Sequence, residues 1–325
     1  MINNNQQVFF ALVRAGLWEE KEVRLLPYGD IKWPEIYRLA TEQSVLGLVL
    51  AGLEYSDLKP PKVLLLQWIG ELQVIEQRNK DMNAFVAELI EKLRKEDVYT
   101  ILVKGQGIAQ CYERPLWRAS GDIDFFLSEN NYQKAKTLLI PQSDSVDAEV
   151  VSNKHIGMTV KGWMVELHGS LCNSLSKRIN KTLNEIQNDV FYGGIVRSWI
   201  NNNTQVFLMG VDGDVIYIFV HFLGHFYKGG VGLRQICDWC RLIWKYKESL
   251  NYALLEARIK KMGLKTEWKA FAAFAVDYLG MPSDTMPLYS SDAKWKRKAK
   301  RICSFIMGVG NMGWIFRSIV GHRFR

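Results

Sequence analysis

Apolar residues recur at three- and four-residue steps through most of residues 3–97, the spacing of one helix face. LVLAGLEY (48–55) forms one such run and KVLLLQWIGELQVIEQRNKDMNAFVAELIEKLRKE (62–96) a much longer one, with Pro60 and Pro61 separating them. Long helices with short connections predict a helical N-terminal bundle. At Val98 the pattern changes. VYTILV (98–103) is short and β-branched, KGQG (104–107) is a glycine turn, IAQCYE (108–113) a short helix, and GDIDFFL (121–127) a second strand. Ser128 is placed to cap the helix NNYQKAKTLLI, which Pro141 stops. HIGMTV and WMVELHG, on either side of Lys161-Gly162, predict a hairpin. After residue 170 the chain reads as helical, with helices over 212–230, 233–246, 252–263 and 266–280. The expected fold is therefore α+β. Residues 1–97 form an N-terminal helical region, 98–170 a small mixed sheet, 171–291 a C-terminal helical region and 292–325 a basic tail. There is no internal repeat and no low-complexity segment.

Charge sharpens this division. The net charge of +8 falls within residues 292–325, which hold nine Lys/Arg and one Asp, so the remaining body is neutral. The ordinary reading of the tail is a solubilising or packed helix. The sharper one is contact with nucleic acid or an anionic membrane surface through 294–325. No basic groove interleaved with aromatics appears elsewhere, which favours the ordinary reading. At 48% hydrophobic and 23% charged residues the chain is globular rather than disordered. The five cysteines are odd in number and irregular in spacing, as expected of reduced thiols in a cytoplasmic protein. Cys237-x-x-Cys240 lies inside a predicted helix with no second pair nearby, and reads as packing rather than as a zinc or redox pair. The N-terminus carries no signal-peptide pattern. The most apolar stretch, 302–316, is too short to span a bilayer.

The chemistry begins with GDIDFFL. Asp122 and Asp124 interrupt an apolar strand at i and i+2, so they share one face. Burying two unpaired carboxylates is costly, and a divalent cation is their natural partner. Glu166 sits in a similar apolar strand, so pairing of that strand beside GDIDF would make a three-carboxylate cluster able to hold two Mg²⁺ ions, with Mn²⁺ as a substitute. Before the first aspartate, Gly105 and Gly107 allow backbone N–H groups to approach a phosphate, with Gln106 between them. Lys104 adds a point charge, a helix beginning near Ile108 adds its positive end, and Arg118 a second cation.

In the order glycine turn, Asp-x-Asp strand, helix and Glu-bearing hairpin, these pieces resemble the nucleotidyltransferase superfamily of DNA polymerase β-like folds. More narrowly, ILVKGQGIAQCYERPLWRASGDIDFFL with VELHGSL looks like a bacterial family usually called uncharacterised nucleotidyltransferases, and VHFLGHFYKGGVGLRQICDW is similar to that family's later helices. The resemblance covers roughly residues 75–245. It implies metal ligation by Asp122, Asp124 and Glu166 and a phosphate turn at Lys104 and Gly105. It also implies a nucleoside triphosphate substrate and an acceptor, whether small molecule, sugar, protein or RNA. One departure is the turn itself: the superfamily more often has Gly-Ser where this chain has Gly105-Gln106, and the gap to Asp122 is longer.

Other candidates have plainer alternatives. His168 shares the face of Glu166 and either serves the site or is a hydrogen-bonded strand histidine. His221 and His225, at i and i+4, suit zinc by spacing but lack the catalytic Glu of HExxH, so a helix lining the nucleotide cleft is the better reading. Arg234 and Asp238, also i and i+4, are either cleft residues or an exposed ion pair of little value. Asp212 and Asp214 repeat the Asp-x-Asp spacing but stand where acids favour a helix start. Two rival functions share the main motif. A glycosyltransferase would use Asp-x-Asp on a nucleotide sugar and need neither Glu166 nor the Lys-Gly turn. A non-catalytic protein would bind nucleotide or a partner in the same cleft.

Overall fold

The computed structural model describes residues 3–309. Four helices open the chain: α1 (Asn4–Trp18), α2 (Trp33–Glu42), α3 (Leu46–Glu54) and the 34-residue α4 (Lys62–Lys95). Asn3 and Gln6 make a reciprocal capping box that fixes the start of α1. Pro61 stands immediately before α4, as the break at Pro60-Pro61 predicts. The middle of the chain runs β1 (Ile101–Val103), α5 (Gly105–Ala109), β2 (Ile123–Phe126), α6 (Glu129–Leu139), β3 (Ser145–Val146), β4 (His155–Val160) and β5 (Trp163–His168). Lys161 and Gly162 both have positive φ, +50° and +79°, the backbone of a tight two-residue hairpin turn. Ser128 occupies the N-cap position of α6, but its side chain makes no capping hydrogen bond, against expectation.

The sheet does not end at residue 170. After α7 (Lys177–Phe191) comes a second hairpin, β6 (Val196–Asn201) and β7 (Thr204–Met209), where the sequence reading placed only helices. Its turn residues, Asn202 and Asn203, both adopt positive φ, which Asn tolerates better than most residues. Five helices follow: α8 (Val211–Tyr227), α9 (Leu233–Lys245), α10 (Tyr252–Met262), α11 (Lys265–Leu279) and α12 (Ala293–Val309). The seven strands lie in the order β3-β4-β5-β2-β1-β7-β6. β2/β5 and β1/β7 pair in parallel and the other neighbours antiparallel.

Each face of the sheet has its own cover. Met82, Phe85, Val86 and Leu89 of α4, with Tyr132 and Leu139 of α6, pack on Phe125, Val165 and Leu167. The opposite face, through Val103 and Phe126, joins a larger core shared by α1–α3, α7 and α8–α12. The helices before and after the sheet in sequence thus meet in space. α12 buries Trp295, Ala299, Ile302 and Ile306 in this core, so the first half of the basic tail is a packed helix. The rest of the tail lies outside the described residues. Among the described residues no helix is long and apolar enough to cross a membrane.

Candidate active site

Register decides the centre of the site. β2 and β5 run parallel with Asp124 directly opposite Glu166 and Phe126 opposite His168. Because strand side chains alternate, Asp124, Glu166 and His168 project from one face. Asp122 lies just before β2 and is half-buried. Asp124 is almost wholly enclosed. Its Oδ1 forms an ion pair with Lys104 Nζ at 2.5 Å and lies 2.8 Å from His168 Nε2. Glu166 and Asp122 are not hydrogen-bonded to it, but both act on the same lysine through space.

Electrostatics follow from this crowding. Asp124's charge, and then burial, raise the Asp122 carboxyl above its ordinary value, with Lys104 and Arg234 opposing. Burial would lower the Lys104 ammonium, but Asp124, Tyr217, Glu166 and Asp122 outweigh it and hold the lysine charged. Burial likewise opposes ionisation of Glu166. The hydrogen bond from His155 and the charges of Lys104 and His168 prevail and keep it well below the usual carboxylate range. His168 is lowered by burial and Lys104, against the pull of Asp124.

Lys104 is held in a rare conformation, φ +57° and ψ −147°, immediately before α5. This backbone region is favourable only for glycine, and from it the Lys104 side chain extends to Asp124. The remainder of the expected phosphate turn is arranged differently. α5 begins at Gly105, not near Ile108, and has only five residues, all buried. Gln106 turns inward, donating to Asn79 Oδ1 at 2.8 Å. Gly107 makes room for β7: a Cβ there would stand 2.8 Å from Leu208 Cδ2. The Gln106 side chain and the bare Cα of Gly107 therefore serve packing, while the Lys104 side chain reaches the carboxylates.

Arg118 is also committed elsewhere. Its Nε and Nη2 donate to the two oxygens of Asp238 at 2.8 and 2.6 Å, and its Nη1 donates to Ser120 Oγ at 2.7 Å. Tyr112 Oη donates to the same aspartate at 2.8 Å. Arg234 and Asp238 are thus no exposed pair: both sit inside, and Asp238 belongs to Arg118. Arg234 donates to the Ala119 carbonyl at 2.6 Å, its Nε has no hydrogen-bond partner, and no carboxylate forms an ion pair with it among the described residues. It acts on Asp122 through space, which makes it the cation with spare capacity at the cluster.

Several participants were not anticipated. His155 of β4 stands across from His168, ring centroids 4.7 Å apart, with its Nε2 3.2 Å from Glu166 Oε2. Asn79 of α4 donates at 2.8 Å to the carbonyls of both Leu116 and Arg118, tying the segment before Asp122 to the long helix. Tyr217 of α8 is buried over the cluster, its hydroxyl pushed to about 12 chiefly by burial. The only sequence signal for His155 was its place in the hairpin that carries Glu166; Asn79 was a lone polar residue on an apolar helix face.

α8 passes near the cluster, close enough for the Lys104 charge to act on Tyr217, His221 and His225. His221 and His225 approach at 3.2 Å between Nε2 atoms. Both are lowered by burial and then by Lys104, His221 strongly. The second Asp-x-Asp takes no part: Asp214 pairs with Arg197, and Asp212 accepts from the Asn251 N–H at 2.8 Å. Cys237 and Cys240 are buried free thiols. A cavity of about 360 Å³ opens between α2, α4 and the segment leading to Asp122, lined by Ser44, Gly47, Val74, Arg78, Asn79 and Ser120 among others.

No curated protein sequence matches the chain. Among solved structures, an antigenic nucleotidyltransferase-like protein from Paracoccidioides brasiliensis is similar over 61% of this chain and 92% of its own, at 12% identity and a TM-score of 0.34. The family described as uncharacterised nucleotidyltransferases matches residues 29–280. That span takes in α2–α11, the whole sheet and every residue of the cluster, and the chain belongs to this family of uncharacterised nucleotidyltransferases.

Proposed function

We propose that this protein transfers a nucleoside monophosphate from a nucleoside triphosphate to a hydroxyl group of an acceptor, releasing pyrophosphate, on a polymerase β-like core. The observation that carries the reading is the placement of Asp124 opposite Glu166 on a parallel strand pair, two residues after Asp122. Asp122, Asp124 and Glu166 offer hard oxygen donors, and their mutual repulsion, visible in the raised Asp122 carboxyl, is what a dication relieves. The donor set fits Mg²⁺, or Mn²⁺, which when bound supplies charge stabilisation at the phosphates.

The chain's own groups do the rest. Lys104 and Arg234 attract the triphosphate. The acceptor oxygen forms a bond to the α-phosphorus as the bond to the bridging oxygen of pyrophosphate breaks, and the hydroxyl proton passes to the carboxylate cluster. Arg118, Asp238, Tyr112 and Asn79 hold the 116–122 segment, and so Asp122, in position. The cavity beside Ser120 takes the organic part of a substrate.

Calorimetric titration of each Mg-NTP into wild type and an Asp122→Asn/Asp124→Asn variant tests the reading. Binding to wild type that the variant loses supports it, and a pyrophosphate-release screen then finds the acceptor. If no triphosphate binds and a nucleotide sugar does, the reading is wrong.

A further inference from the structure

A second set of ligand atoms stands beside the carboxylate cluster. The antiparallel pairing of β4 with β5 puts His155 directly across from His168, and Glu166 shares their face. His155 Nε2 lies 3.2 Å from Glu166 Oε2, and His168 Nε2 lies 3.7 Å from the same oxygen. The three atoms all fall within 4.8 Å of one another. A tetrahedral site with bonds of about 2.0–2.1 Å spaces its ligand atoms about 3.3 Å apart. Two of the separations are therefore close to ligating spacing already, and the third lies within 4.8 Å. Solvent reaches the group from one side, since the His155 side chain is 32% exposed while Glu166 and His168 are each 12% exposed.

Two imidazole nitrogens and one carboxylate are a poor set for Mg²⁺, which prefers oxygen donors. They are a good set for the first-row transition metals, which accept imidazole and carboxylate together. We propose that His155, Glu166 and His168 bind a first-row transition-metal dication of the Mn²⁺-to-Zn²⁺ series through His155 Nε2, Glu166 Oε2 and His168 Nε2. Ligation takes His168 Nε2 from its 2.8 Å contact with Asp124, and Asp124 keeps Lys104 as its partner. Glu166 is common to this site and to the carboxylate cluster. The site stands on its own donor atoms and does not depend on the nucleotidyl-transfer reading.

The test uses the full chain, stripped of metal and titrated with Co²⁺ in the presence of excess Mg²⁺, with visible absorption as the readout. Wild type should develop the ligand-field bands of nitrogen- and oxygen-bound cobalt at one ion per chain. His155→Gln and Glu166→Gln should each weaken this binding by more than about 100-fold, since even loss of an outer-shell partner costs about 10–100-fold. The α8 pair is the competing histidine site, so His225→Gln should leave the titration unchanged. His155→Asp retains a ligand and should bind cobalt with shifted bands, which separates lost ligation from lost folding. Zn²⁺ should raise the melting temperature of wild type and not that of His155→Gln. The proposal is overturned if no bands appear, if excess Mg²⁺ abolishes them, if His155→Gln titrates like wild type, or if His225→Gln is the variant that loses them.

Discussion

Replacing Lys104 separates two effects that the structure superimposes. The side chain neutralises an aspartate whose own side chain is only 1% exposed. Removing one partner of such a buried pair costs about 3–5 kcal/mol. The backbone at the same residue lies at φ +57°, ψ −147°, where a residue with a Cβ is strained by about 1–3 kcal/mol and glycine is not. Lys104→Ala loses the pair and keeps the strain, whereas Lys104→Gly loses the pair and sheds the strain. Glycine's freer unfolded chain returns about 0.4–1 kcal/mol to the alanine variant. Lys104→Gly should therefore be more stable than Lys104→Ala by about 0.5–2 kcal/mol, reversing the usual order of these residues, while both remain below wild type. The assay is urea denaturation followed by far-UV circular dichroism and tryptophan fluorescence, used only where the two curves coincide. An alanine variant as stable as the glycine variant would refute the strain argument. Both variants should bind Mg-NTP equally poorly, because the ammonium is absent from each.

Three further outcomes follow from particular contacts. Asp238→Asn leaves the Arg118 guanidinium buried without its charge partner and should cost about 3–5 kcal/mol in urea denaturation; an Arg118→Met/Asp238→Leu double variant should recover much of it. Asn79→Leu removes the donors to the Leu116 and Arg118 carbonyls. It should destabilise the fold by about 1–3 kcal/mol and weaken nucleotide binding in the same calorimetric titration. Burial holds His221 well below its ordinary value, so the unfolded chain takes up the proton first. The neutral-histidine stability is complete above about pH 6.5 and declines as pH falls below it. A melting-temperature series across that range should show a shallower decline in His221→Gln, and an unchanged slope would refute the assignment.

The local elements were legible because their signals are local. The long amphipathic run of α4, the prolines before it, the apolar strand that carries Asp124 and the Lys161-Gly162 turn each carry their own pattern, and each formed within the segment the pattern marked. The β6–β7 hairpin had comparable marks, alternating residues around Asn202-Asn203, and was hidden by the helical runs on either side. Sequence alone also singled out Asp122, Asp124, Glu166 and Lys104, because a charge inside an apolar run is conspicuous wherever the run folds. What it could not supply was partnership. That Asp124 faces Glu166 depends on the register of two strands separated by α6, β3 and β4. That Arg118 is held by Asp238, 120 residues away, depends on α9 packing against the 112–120 segment. His155 came beside Glu166 through cross-strand pairing, and the Gln106 side chain turned inward because Asn79 of α4 receives it. Periodicity fixes which face a side chain occupies within its own element, but the free energy of a charge is set by whatever packs against it, and only the tertiary structure decides that.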